Sequence, residues 1–171
     1  MADNIILIGF MGVGKGRTAR ALAEKTGMFT VDTDDVIETV VNMKIRKIFK
    51  IHGEQYFRDL EQRAADWLRL NVSNTIVSTG GGFFKVRKLG GKDRVVYLHS
   101  SLDMILGAIR SHPKAAKKIK KRPLLRKMKK ARHLYDERLP LYRKAADLEV
   151  NVEGLSPDDV AGKILDKLGL E

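Results

Sequence analysis

Asn4-Ile5-Ile6-Leu7-Ile8-Gly9-Phe10-Met11-Gly12-Val13-Gly14-Lys15 is a β-branched apolar run that ends in a glycine-rich loop carrying one lysine. Ala19, Leu22 and Ala23 follow at helical spacing, so the stretch reads as strand, loop, helix. Glycines let the backbone fold tightly enough for successive N–H groups to point inward at an anion. The helix adds its positive end, and Lys15 has the reach for β and γ phosphates. The spacing G-x-x-x-x-G-K runs from Gly9 to Lys15, but the next position, where the pattern places a magnesium-binding hydroxyl, is Gly16, followed by Arg17 and Thr18. Thr18 lies two residues further, about 200° round a helix axis, and is expected to face away from the phosphates. A ligand-free glycine turn is the alternative, and it leaves the agreement of strand, spacing, lysine and helix to chance.

The rest of the chain repeats this alternation. Phe29-Thr30-Val31 reads as a short strand running into Asp32-Thr33-Asp34-Asp35, then Val36 to Met43 and Lys47 to Ile51 as short helical pieces, with Gly53 as punctuation. From Glu54 a helical stripe runs through Phe57, Leu60, Ala64, Trp67 and Leu68. Thr75-Ile76-Val77-Ser78 is a strand that stops at Thr79-Gly80-Gly81-Gly82; Arg94 to Leu98 is another, and Leu102 to Arg110 a helix. Leu148 to Val152 is the last strand candidate. Ser156-Pro157-Asp158-Asp159 then has the cap, proline and acidic first turn of a helix that turns Val160, Ile164, Leu165 and Leu168 inward. Five short strands separated by helices predict a single α/β domain, a five-stranded parallel sheet flanked by helices. Ligands of such sheets bind beyond the carboxyl ends of the strands. The glycine loop, the Asp32/Asp34 pair and the triple glycine, each at a strand tip, are therefore expected to line one crevice.

With 171 residues and 43% hydrophobic content the chain can build one core. It has no cysteine, which excludes a disulfide framework and thiolate metal sites. No apolar run approaches the ~18 residues of a membrane span, and Met1-Ala2-Asp3-Asn4 has no basic stretch ahead of a short apolar one, so a cytoplasmic protein is expected. The net charge of +12 is local: eleven basic residues and no acidic ones fall between Lys114 and Arg132, leaving about one positive charge for everything else. That segment has no interleaved aromatic before Tyr135, so base stacking is unsupported and no specific nucleic-acid partner is expected.

Period two on an extended strand end puts Asp32 and Asp34 on one side, one able to hold a metal and the other to meet a substrate hydroxyl; equally, Asp34 or Asp35 could cap the helix that follows. Glu54, Arg58 and Glu61 fall on one helix face and could form a solvated ion-pair ladder. Gly80-Gly81-Gly82 forgoes side-chain packing directly after a strand, which suits either a close approach of ligand to the main chain or a bulge.

Taken in order, Gly9 to Lys15, Asp32-Thr33-Asp34, Ile48-Phe49 with Gly53-Glu54 and Phe57-Arg58-x-x-Glu61, Thr79-Gly80-Gly81-Gly82, Arg122-Pro123-Leu124-Leu125 and Glu137-Arg138-Leu139-Pro140-Leu141-Tyr142 resemble the shikimate kinases over nearly the whole chain. The resemblance implies a P-loop NTPase fold of the nucleoside-monophosphate-kinase kind. Within its single domain a substrate-binding helical part would cover about 34–62 and a mobile basic lid about 111–133. It implies transfer of the ATP γ-phosphoryl group to the 3-hydroxyl of shikimate, a step toward aromatic amino acids, by a monomer with ATP and Mg²⁺. By the same resemblance Gly12, Val13, Gly14, Lys15, Gly16 and Arg17 hold the nucleotide together with Arg122. Lys15, Asp34 and Arg122 carry the chemistry, while Arg58, Arg138, Asp34, Gly80, Gly81 and Gly82 bind shikimate and Asp32 reaches the metal. The chain departs from the family at Gly16. It also departs near Gly107 and Ala108, where relatives place an adenine-stacking arginine, leaving Arg110 as a displaced candidate. A weak nucleotide-binding relative with a regulatory role, or a kinase of another small hydroxy acid such as gluconate, are the competing readings.

Overall fold

A computed structural model describes residues 3–120 and 127–170. Its centre is a parallel sheet of β1 (Ile5–Ile8), β2 (Phe29–Asp32), β3 (Thr75–Ser78), β4 (Arg94–His99) and β5 (Leu148–Asn151), in the order β2-β3-β1-β4-β5. β1 and β3 are buried along their whole length because helices cover both faces, which is why β1 reads as an unbroken apolar run and β3 carries the apolar pair Ile76-Val77 rather than an alternation. β2 is an edge strand, and Phe29 at its start is 86% exposed.

The helices are α1 (Lys15–Thr26), α2 (Thr33–Val41), α3 (Ile45–Asn71), α4 (Leu102–Arg110), α5 (Ala115–Lys120), α6 (Met128–Ala145) and α7 (Pro157–Leu168), with one 3₁₀ turn at Phe83–Lys85. Gly53 interrupts α3 with φ 81° and ψ 179°, so the expected punctuation is a kink between two helical pieces. Ser156 and Asp159 close the expected start of α7 with a reciprocal capping box. None of the described helices is long and apolar enough to cross a membrane.

Several expectations about the helices need correction. α2 begins at Thr33, not Val36, because Asp32 is its cap: Oδ1 accepts from the N–H groups of Asp34 and Asp35, so neither of those residues is the cap and Asp34 sits in a helical turn rather than on an extended strand end. Trp67 is 41% exposed and does not belong to the inward stripe of α3, which is Phe57, Leu60, Ala64 and Leu68. Residues 128–133, expected above within a lid, are the first turns of α6, with Ala131 fully buried. α6 itself carries a stripe of Ala131, Tyr135, Arg138 and Tyr142, too polar to stand out as apolar periodicity.

β1 lies between β3 and β4, and the chain leaves it in one direction for β2 and β3 and in the other for β4 and β5. That reversal opens a crevice at the carboxyl ends of the central strands. Thr79 Oγ1 donates to the Leu7 carbonyl (2.8 Å) and Gly80 N–H donates to Thr33 Oγ1 (3.2 Å), tying the tips of β1, β2 and β3 together.

Candidate active site

The loop after β1 is built for an anion. Gly14, at φ 109°, caps α1 without a side chain, and the first turn of α1 carries no acid, so no carboxylate of its own competes for its N–H groups. Lys15 is buried, and its ammonium donates to the loop carbonyls of Gly9 (2.7 Å) and Phe10 (3.2 Å). Gly12 packs so closely on α4 that a Cβ there would stand 2.8 Å from Ile109 Cδ1. Arg17 curls back over the loop, with Nη2 3.5 Å from where a Cβ on Gly14 would be. Thr18 is buried, on the core side of α1.

Across the crevice the triple glycine forms a wall against which three charged side chains press. A Cβ on Gly80 would lie 2.6 Å from Asp34 Oδ1, and one on Gly81 would lie 3.3 Å from Arg138 Nη1 and 3.6 Å from the Met11 nitrogen. On Gly82 it would collide with the Arg58 guanidinium. The glycines thus make room for three of the protein's own charged side chains to lie against the main chain. The Gly81 carbonyl accepts from Arg138 Nη1 (3.0 Å) and from the Tyr142 hydroxyl (2.6 Å), and Tyr142 is itself stacked on Tyr97.

Arg58 is fixed from its own helix, donating to Glu54 (2.9 Å) and to Glu61 (2.5 Å). Glu54 is exposed, but Glu61 is only 1% exposed, so the pair is not the solvated ladder that spacing alone allowed. Arg138, 8% exposed, comes from α6 and lies over the Phe84 ring. A hollow of about 260 Å³ borders Arg58 and Glu61 and is lined on its other side by Lys85 and Arg87.

Among the described residues, three buried side-chain polar atoms have no hydrogen-bond partner: Asp34 Oδ1, Glu61 Oε1 and Arg138 Nε. All three belong to this one crevice. Such atoms are costly in a folded protein, and their clustering marks a place prepared for a polar ligand. Burial pushes the Asp34 carboxyl up to about 7, helped by the Asp32 and Glu61 carboxylates and opposed by Lys15. Burial likewise raises Glu61, against the pull of Arg58. A carboxyl that titrates near neutrality beside a phosphate loop is suited to take a proton from an attacking hydroxyl.

Asp32 and Ser78 offer hard oxygens, the kind of donor that magnesium would take. Asp32 stands at the tip of β2 with Oδ2 accepting from Ser78 Oγ (2.8 Å). The described residues contain no group of three or more acidic or histidine side chains that would cage a metal. The oxygens present fit an ion that keeps most of its shell in water and nucleotide phosphate. Arg122 lies outside the described residues, with the rest of 121–126. Arg110 ends α4 with Nη2 3.9 Å from Met128 Sδ. Tyr142 and Ser78 were not singled out by the sequence. Tyr142 sits in the Glu137-to-Tyr142 motif that carries the resemblance, which is the signal that could have found it.

Comparison with known proteins agrees with this geometry. A family model described as shikimate kinase matches residues 11–169. The shikimate kinase of Persephonella marina is 37% identical over 170 residues, covering 96% of this chain and 98% of its own. That of Helicobacter hepaticus is 36% identical over 169 residues, covering 99% and 98%. Among solved structures, shikimate kinase from Acinetobacter baumannii in complex with shikimate superposes with a TM-score of 0.82 at 32% identity, over 98% of this chain and 93% of that one.

Proposed function

The chain belongs to the shikimate kinase family, and from that premise we infer that it transfers the γ-phosphoryl group of ATP to the 3-hydroxyl of shikimate. The observation that carries the reading is the set of three orphaned polar atoms, Asp34 Oδ1, Glu61 Oε1 and Arg138 Nε, gathered behind a glycine wall beside the phosphate loop.

In this reading Arg58 and Arg138 receive the ring carboxylate, a planar anion matched by two guanidinium groups that Glu61 and the Gly81 carbonyl hold in place. Gly80, Gly81 and Gly82 let the ring lie against the main chain. Asp34 accepts the proton of the attacking hydroxyl as the new O–P bond forms and the bond from the γ-phosphorus to the bridging oxygen of ADP breaks. Lys15 exchanges its loop carbonyls for phosphate oxygens and, with Arg122, offsets their charge. The N–H groups from Gly12 to Gly16 cradle the phosphates, with Arg17 alongside. Asp32 would hold magnesium on the protein side, and the ion would supply charge neutralisation on the phosphates. The basic stretch from 111 to the start of α6 covers the nucleotide and excludes water. The protein works as a cytoplasmic monomer on two small molecules, with no nucleic-acid partner.

A coupled assay with ATP, Mg²⁺ and shikimate tests this. ADP release that depends on shikimate is expected, together with thermal protection by shikimate. Neither turnover nor protection would remove the assignment.

A further inference from the structure

Resting on the kinase reading above, one gap in the site remains: the phosphate loop brings no hydroxyl at residue 16, where its pattern puts a metal-side oxygen. The structure places another one there. A Cβ on Gly16 would stand 3.9 Å from Ser78 Oγ, in ordinary contact, so the volume that a residue-16 hydroxyl would enter adjoins the Ser78 hydroxyl. The strand register explains the position. Ser78 pairs with Leu7 of β1 on one side and with Asp32 of β2 on the other, which sets its side chain between the phosphate loop and the acid.

Ser78 is 5% exposed and ends β3 directly after the apolar pair Ile76-Val77, where a hydroxyl packs no better than a methyl. Its single proton is committed to Asp32 Oδ2 at 2.8 Å. A hydroxyl has one donor and two acceptor lone pairs, so what Ser78 Oγ still offers is acceptor capacity, the kind that a cation or a metal-bound water requires. Asp32 has both oxygens engaged as acceptors, Oδ1 by the start of α2 and Oδ2 by Ser78, which fixes its orientation. Arg20 Nη1 is also 3.9 Å from that Cβ position, but its side chain is exposed and a guanidinium, which only donates, cannot ligate a cation.

We propose that Ser78 Oγ replaces the missing residue-16 hydroxyl, holding with Asp32 the magnesium ion of the bound nucleotide or one of its waters. The test reads metal binding, not turnover: Mn²⁺ is titrated by electron paramagnetic resonance into the full-length protein saturated with ADP. Ser78→Ala is expected to weaken Mn²⁺ roughly tenfold, and Ser78→Thr, which keeps the hydroxyl, to stay within about threefold of the parent. Adding Gly16→Ser to Ser78→Ala should bring the affinity back to within about threefold of the parent, because it returns an oxygen to the same volume. Unchanged Mn²⁺ affinity in Ser78→Ala overturns the proposal. So does a loss that Gly16→Ser fails to restore, since Ser78 would then act only by bracing Asp32. Shikimate-dependent ADP release by the parent protein, measured separately, reports on the kinase reading, so the two can fail independently.

Discussion

The two ends of the parallel sheet are furnished with the same kinds of polar residue and use them in opposite ways. At the amino ends of the strands, Asn4 is 1% exposed and Asp93 5%, and their hydrogen bonds close on one another. Asn4 Nδ2 donates to Asp93 Oδ1 and to the Val72 carbonyl, its Oδ1 accepts from Thr75 N–H, and its own N–H donates to Asp93 Oδ1. At the carboxyl ends, Glu61 accepts from Arg58, Arg138 donates to the Gly81 carbonyl and the Asp34 carboxyl presses against Gly80, yet each of the three keeps one buried atom without a hydrogen-bond partner. A satisfied network stabilises; an unsatisfied one stores a demand that a ligand can meet. Where the chain needs only to fold it completes its polar contacts, and where it acts it leaves them open at some cost in stability.

Substitutions at the two ends should therefore have opposite signatures. The largest effect is expected from Asp34→Asn, which removes the proton acceptor and should lower kcat/KM for shikimate roughly a thousandfold. The same change should stabilise the free protein at pH 8. With its folded-state value raised to about 7 from 3.8, Asp34 favours folding below the lower value, and that contribution is lost as pH rises through 7. Asparagine never ionises, so the melting temperature should rise by on the order of 5 °C at pH 8 and the gain should vanish near pH 4. A variant both inactive and less stable at pH 8 would break the contrast.

Next comes Gly82→Ala. Its methyl group would collide with an Arg58 guanidinium that Glu54 and Glu61 prevent from yielding, so kcat/KM for shikimate should fall roughly a hundredfold while KM for ATP stays close to that of the parent. At the opposite end, Asn4→Ala should cost about 2 kcal/mol in denaturant unfolding and leave the kinetic constants alone. Smallest is Gly16→Ser. The added Cβ meets nothing closer than 3.9 Å, and the hydroxyl it carries should tighten apparent Mg²⁺ affinity about threefold in a magnesium titration of the rate.

Much of this was legible beforehand, for identifiable reasons. β1, the phosphate loop and α1 form a local unit whose spacing is dictated by the anion, and the convergence of three strand tips follows from parallel topology. What stayed hidden depended on partners distant in sequence. Asp32 as a helix cap displaced Asp34 from strand to helix because apolar periodicity begins only at Val36, three residues after the helix does. α6 was missed because its buried face is Ala131, Tyr135, Arg138 and Tyr142, two of them sustained by bonds to Gly81 some sixty residues away. The solvated-ladder reading of Arg58 failed because it ignored what lies opposite: Glu61 is buried, and the Gly82 main chain occupies the space where water would have been.

The central claim is that the open polar atoms at the carboxyl end of the sheet are the substrate's docking points. A crystal structure of the protein with shikimate and ADP tests it most directly. The account predicts polar atoms of the ring within hydrogen-bond distance of the Asp34 carboxyl and the Arg138 guanidinium, with the ring against Gly80 to Gly82. Shikimate seated elsewhere, touching neither of those groups, would contradict it.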